Sequence, residues 1–66
     1  MKSRKYDYFK VIQQHYGQGW EDASFYETDS TGYAPREKRD LLKHDLEEYR
    51  TLGYPTRVIF RREIAA

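Results

Sequence analysis

The sequence predicts an α+β fold of β-β-α-β order: a three-stranded antiparallel sheet with one helix packed on one face. Three observations predict it. Tyr6–Tyr26 holds two runs rich in Tyr, Phe, Val, Ile and Trp on either side of Gly17 and Gly19, and such residues pack well on a pleated surface. Arg36–Leu52 carries Leu42, Leu46 and Tyr49 at intervals of four and three, the spacing of one helical stripe. Thr56–Ile64 alternates apolar residues with arginine, as a third strand would.

In chain order, residues 1–5 include Lys2, Arg4 and Lys5 and read as a flexible basic N-terminus ahead of a single domain at 6–64. The first strand spans Tyr6–Tyr16 and the second Trp20–Glu27. Tyr16, Gly17 and Gly19 form the hairpin turn between them, where glycine makes positive φ cheap. Thr28–Gly32 has loop composition. Pro35 suits a first helical turn, where its missing N–H costs nothing. Gly53 suits the left-handed position just past the helix, and Pro55 prevents continuation. A strand order of 2-1-3 puts Tyr6–Tyr16 at the centre.

Strand alternation then divides the side chains. Phe9, Val11, Ala23 and Phe25 are expected beneath the helix, forming a core with Leu42, Leu46, Tyr49, Val58 and Phe60. Tyr8, Lys10, Ile12, Trp20, Tyr26, Arg57, Ile59 and Arg61 are expected on the face the helix leaves open. Tyr16 and Trp20 are expected to pair across the turn, and Tyr54 to pack back on Tyr49.

Composition narrows the function classes. The chain has 66 residues, a net charge of +1 and no cysteine. That balance excludes a protein held to nucleic acid by bulk charge, and the absent thiols exclude a thiolate metal site. Aromatic residues make up 17%, including 7 Tyr, which argues for a folded domain. No apolar run has the length of a signal peptide or membrane span, so the expected location is the cytoplasm. Asp40, His44 and Glu48 lie along one helix face, but a histidine and two carboxylates at helical spacing arise often by chance in charged helices. His15 reads as a hydrogen-bonding turn residue. Nucleophile elbows, phosphate-cradling glycine loops and dinucleotide fingerprints are absent. The expectation is a protein that is not an enzyme and carries no cofactor or metal.

The expected open face mixes Tyr, Trp and Ile with Lys and Arg. A mixture of that kind is enriched at protein interfaces and suits a protein partner or a homodimer. It also suits single-stranded nucleic acid, with bases stacked on Tyr8 and Tyr26 and phosphates met by Lys10, Arg57 and Arg61. Long stems of the same residues can instead simply cover a small sheet.

The hairpin V-I-Q-Q-H-Y-G-Q-G-W-E-D, the helix end L-E-E-Y-R and the strand R-V-I-F-R-R together resemble a group of small phage and bacterial proteins of unknown function. The matching residues are Gln13, Tyr16, Gly17, Gly19, Trp20, Glu21, Asp22, Leu46, Glu48, Tyr49 and Arg50. A longer loop at Thr28–Ala34 departs from that pattern. The resemblance implies a phage or prophage accessory protein, and it supplies no activity.

Overall fold

The strand at the centre of the chain's pairing is β1 (Tyr6–His15), which hydrogen-bonds to β2 (Trp20–Thr28) on one side and β3 (Thr56–Ile64) on the other. Both ladders are antiparallel, so the sheet order is β2-β1-β3, as the sequence predicts. A single helix, α1 (Arg36–Thr51), lies between β2 and β3 in sequence and packs over one sheet face. The structure, a computed structural model, describes residues 5–65. Apart from Lys5, the expected basic N-terminus lies outside the described residues.

Local chemistry accounts for the element ends. Gly17 and Gly19 adopt φ of 104° and 121° at the hairpin, a region L side chains rarely enter. The helix stops at Thr51, and Gly53 takes φ 88° while its N–H bonds the Arg50 carbonyl. Pro35 sits one place earlier than expected, at the N-cap, and no side chain caps that end. Asp29 organises the loop before the helix. Its carboxylate accepts hydrogen bonds from the Thr31 N–H and hydroxyl and from the Tyr33 N–H.

Beneath the helix the side chains differ from those expected. The Tyr26 hydroxyl donates to Asp45 of α1 at 2.5 Å, and the Gln14 amide donates to the Tyr49 carbonyl at 2.8 Å. Tyr26 stands opposite Lys10, Ser24 opposite Ile12, and Thr56 opposite Gln14. The helix side of the sheet is therefore Tyr8, Lys10, Ile12 and Gln14 on β1, with Ser24 and Tyr26 on β2 and Val58 and Phe60 on β3. Phe9, Val11 and Phe25, expected in this core, point the other way. Of the expected set, Leu42, Leu46 and Tyr49 form the half-buried stripe of α1, and Val58 and Phe60 face the helix side but stay 37% and 50% exposed. Ala23 belongs to neither row, because the β1–β2 register shifts between Ile12 and Gln13 and leaves it as a bulge.

The enclosed residues are few. Val11 and Ile12 have no exposed surface, and Tyr26 and Ala34 are nearly enclosed. Gln14 is also wholly buried, and every polar group of its side chain is used. Its amide nitrogen donates to Tyr49 O and to Thr56 Oγ1, while its oxygen accepts the Tyr16 hydroxyl at 2.7 Å. Tyr16 is thereby drawn away from Trp20. Its ring meets Tyr54 edge-on at 4.7 Å, and Trp20 meets His15 instead. Both expected aromatic pairs are therefore replaced. A radius of gyration of 13.2 Å, against about 11 Å for a compact chain of this length, explains why so little is fully enclosed.

Two stability measurements check this assignment. Ile12→Ala is expected to cost ~2–5 kcal/mol in urea denaturation, because it empties an enclosed site, whereas Phe25→Ala should cost about 1 kcal/mol or less because the ring is 48% exposed. Equal losses would contradict the core described. Gln14→Leu keeps the volume but removes the bonds to the Tyr49 carbonyl, Thr56 Oγ1 and the Tyr16 hydroxyl, so a loss of about 1–3 kcal/mol is expected. A variant as stable as the parent would remove Gln14 from its structural role.

Candidate functional site

The helix-free face is built in cross-strand rows set by register, beginning with Asp7 opposite Glu63. Glu27, Phe9 and Arg61 form one row, and Phe25, Val11 and Ile59 the next. Asp22, Gln13 and Arg57 follow, and Trp20 with His15 closes the face beside the turn. The bulge at Ala23 is what brings Trp20 and Asp22 onto the same face as Phe25. Without it, strict alternation would send them to opposite sides.

A continuous polar network joins the three strands across this face. Arg61 grips Asp22 with two hydrogen bonds, Nη1 to Oδ2 at 2.7 Å and Nη2 to Oδ1 at 3.0 Å. Gln13 donates its amide to Asp22 Oδ1 at 2.8 Å and accepts Arg57 Nε at 2.9 Å. The Arg57 guanidinium lies 4.1 Å from the Trp20 ring centroid, a cation–π contact that holds the indole in place. Arg61 stands opposite Phe9 and Asp22 opposite Gln13, so their bridge crosses β1 over Val11. Contact across that diagonal requires a strongly twisted sheet, and a bulge increases twist locally. Val11 is consequently enclosed with no helix above it.

Next to the network lies an apolar half. Phe9 and Phe25 meet edge-to-face at 6.1 Å, with Ile59 across Val11 from Phe25. Phe25 is the most open of these, at 48% exposure. The face thus presents a phenylalanine pair and an isoleucine beside a Trp–Arg–Gln–Asp–Arg lattice.

The residues expected on one binding face are divided by the fold. Trp20, Arg57, Ile59 and Arg61 do share the open face. Tyr8, Lys10, Ile12 and Tyr26 turn to the helix side: Tyr8 stacks on Phe60 at 5.9 Å, Ile12 is enclosed, and Tyr26 is held by Asp45. Burial, and then the Asp45 hydrogen bond, push the Tyr26 hydroxyl up to about 12. Phe9, Phe25 and Gln13 occupy the places the sequence reading gave to others, while Asp22 shares the open face with Trp20 as that reading expects. Of the hairpin residues, His15 does bond within the turn, its Nδ1 accepting the Gly17 N–H at 3.1 Å.

On α1, Asp40 pairs with Arg36 at 3.7 Å rather than joining His44. His44, Asp45 and Glu48 bring ligand-type atoms within 4.8 Å of one another, but Asp45 already takes the Tyr26 hydroxyl and His44 lies 3.2 Å from Glu48 on the exposed surface. Among the described residues no helix is long and apolar enough to cross a membrane. Comparison with protein-family models, with curated proteins and with solved structures gives no match.

The guanidinium of Arg61, followed by the Gln13 amide, holds the Asp22 carboxyl below the usual carboxylate range. A carboxyl whose folded pKa is depressed contributes stability above its unfolded pKa, about 3.9, and loses it as pH falls through the folded value. Stability attributable to Asp22 is therefore expected to be constant from neutrality to about pH 4 and to decline below that. Asp29 is depressed as well, by Thr31 first, so the readout is the difference between the parent and Asp22→Asn in acid denaturation. Identical acid limbs would show that the bridge contributes nothing to the folded state.

Proposed function

We propose that this chain is a small non-catalytic interaction module that binds a protein, either a partner or a second copy of itself, through the helix-free sheet face. The observation that carries the reading is the exposed Phe25, set beside Phe9 and Ile59 and bordered by polar groups that already satisfy one another. Binding at such a surface buries apolar area without stranding charges, because Asp22, Gln13 and both arginines keep their partners. Aromatic anchors enclosed by a satisfied polar surround are the usual source of interface affinity. The network also fixes long side chains in advance, so less rotamer entropy is lost on association.

A role as a phage or prophage accessory protein is the part of the proposal that rests on the motif resemblance alone. Placement in the cytoplasm is supported by the lack of cysteine and of any long apolar run. The nucleic-acid alternative required Tyr8 and Tyr26 as neighbouring stacking platforms beside Arg57 and Arg61. Both tyrosines lie on the helix side and both arginines are engaged, so no observation favours it on this face.

The test pairs light scattering across a concentration series with affinity capture from a bacterial lysate. Whatever association the parent makes should be lost in Phe25→Asp and kept in Leu52→Asp, which alters a residue that is 60% exposed near the helix end. Unchanged association in Phe25→Asp would remove this face from consideration.

A further inference from the structure

On the opposite side of the sheet, and independent of the face just described, three cations converge where packing alone would place none. A cavity of about 230 Å³ opens between the sheet and the first turns of α1, lined by Lys10, Lys38 and Arg39 together with Tyr26, Thr28, Ala34 and Leu42. No carboxylate lines it. Lys10 is half-buried on the central strand, and Gly32 lies over its Cε, so the stem runs under the loop toward the helix. Neither Lys10 nor Lys38 has an ion pair among the described residues. Arg39 meets only the Tyr33 ring, its guanidinium 5.3 Å from the centroid.

Three like charges sit around one cavity at the positive end of the helix dipole, where anions are the stabilising charge. That end has no side-chain cap. An anion of phosphate size in the cavity would be positioned to take charge-assisted hydrogen bonds from the side chains that line it.

A larger cavity of about 610 Å³ adjoins it and shares Thr28 and Lys38. Tyr6, Tyr8 and Tyr33 line it together with Lys5 and the carboxylates of Glu27 and Asp29, and Tyr33 is 58% exposed. The two cavities together offer an anion pocket beside an aromatic groove. We propose that this end of the helix side binds a nucleoside monophosphate, its phosphate among Lys10, Lys38 and Arg39 and its base against the tyrosines.

The experiment is an NMR titration of the folded chain with adenosine monophosphate, with adenosine and inorganic phosphate as separate arms. Saturable shifts at Thr28, Ala34, Lys38, Arg39 and Tyr33 are expected with the nucleotide, and much weaker ones with either fragment. Lys10→Met keeps the apolar stem and should weaken binding about tenfold or more, the scale of one hydrogen bond to a charged group. Lys38→Gln, on the exposed helix surface, should do the same without touching the core. Arg36→Gln, outside the cavity wall, should bind as the parent does. The proposal fails if the nucleotide shifts nothing or only the helix-free face. It fails equally if adenosine or phosphate alone binds as tightly as the nucleotide, or if Lys38→Gln leaves the affinity unchanged.

Discussion

The Gln14 side chain is the constraint on which the relative placement of the elements depends. It is a polar amide enclosed completely on the central strand, and leaving it unpaired there would cost about 1–3 kcal/mol. Pairing it requires the helix end to deliver the Tyr49 carbonyl, the turn to deliver the Tyr16 hydroxyl and β3 to begin at Thr56. The adjoining backbone bond from His15 N to the Pro55 carbonyl, 3.0 Å, ties the end of β1 to the residue before β3. One satisfied residue therefore holds the turn, the helix end and the start of the last strand against one another. A second polar contact, Tyr26 to Asp45, then fixes the direction of α1 across the sheet. No helix residue is fully buried, so apolar packing alone would orient α1 weakly.

Element types and strand order could be read from the sequence because their signals are local. Gly17 and Gly19 mark a turn, Gly53 a helix end, and the spacing of Leu42, Leu46 and Tyr49 gives the half-buried stripe of α1. Side-chain facing could not be read in the same way. Residues 11–14 run Val-Ile-Gln-Gln, so each face of β1 receives one aliphatic residue and one glutamine, and the pattern carries no phase. Strand alternation specifies a face only where the two faces differ in polarity, and here both are covered at the centre. The bulge at Ala23 adds a second source of error, since it returns Trp20 and Asp22 to the face of Phe25. Nothing in W-E-D-A-S-F-Y marks that extra residue before β1 is laid beside it. The candidate binding face was accordingly half right: its β3 members and Trp20 hold, while its β1 members and Tyr26 exchange sides with Phe9 and Phe25.

A net charge near zero conceals how differently the cations are placed. Arg57 and Arg61 are consumed by the lattice on the helix-free face, and Arg62 lies 4.5 Å from the Tyr6 ring. Guanidinium suits those places because it is planar, can bond a carboxylate with two parallel N–H groups and stacks on rings. Among the described residues Lys10 and Lys38 make no such contacts. Neither Lys10 nor Lys38 has an ion pair among the described residues, and no carboxylate lines the cavity they share. The two faces thus use basic residues for opposite ends: arginine as a fastener where the sheet lacks a helix, lysine as free charge where the helix begins.

That division has a mechanical consequence, because β1 belongs to both faces. Val11 is sealed by the Arg61–Asp22 bridge and Ile12 by the helix side, and the two are consecutive on one strand. A protein docking against Phe25 would press on the same strand whose next residues carry Lys10 and Gln14 to the other side. In a slab whose Cα extent is 16 Å in its thinnest direction, no intervening layer is available to absorb a shift in β1. Any movement of the strand must be taken up by the lattice above it or by the Gln14 contacts below. The lattice is the more exposed of the two and its bonds are individually weak, whereas Gln14 is enclosed and its loss strands other groups. A displacement of β1 is therefore opposed from both sides, by the bridge over Val11 and by the Gln14 contacts beneath.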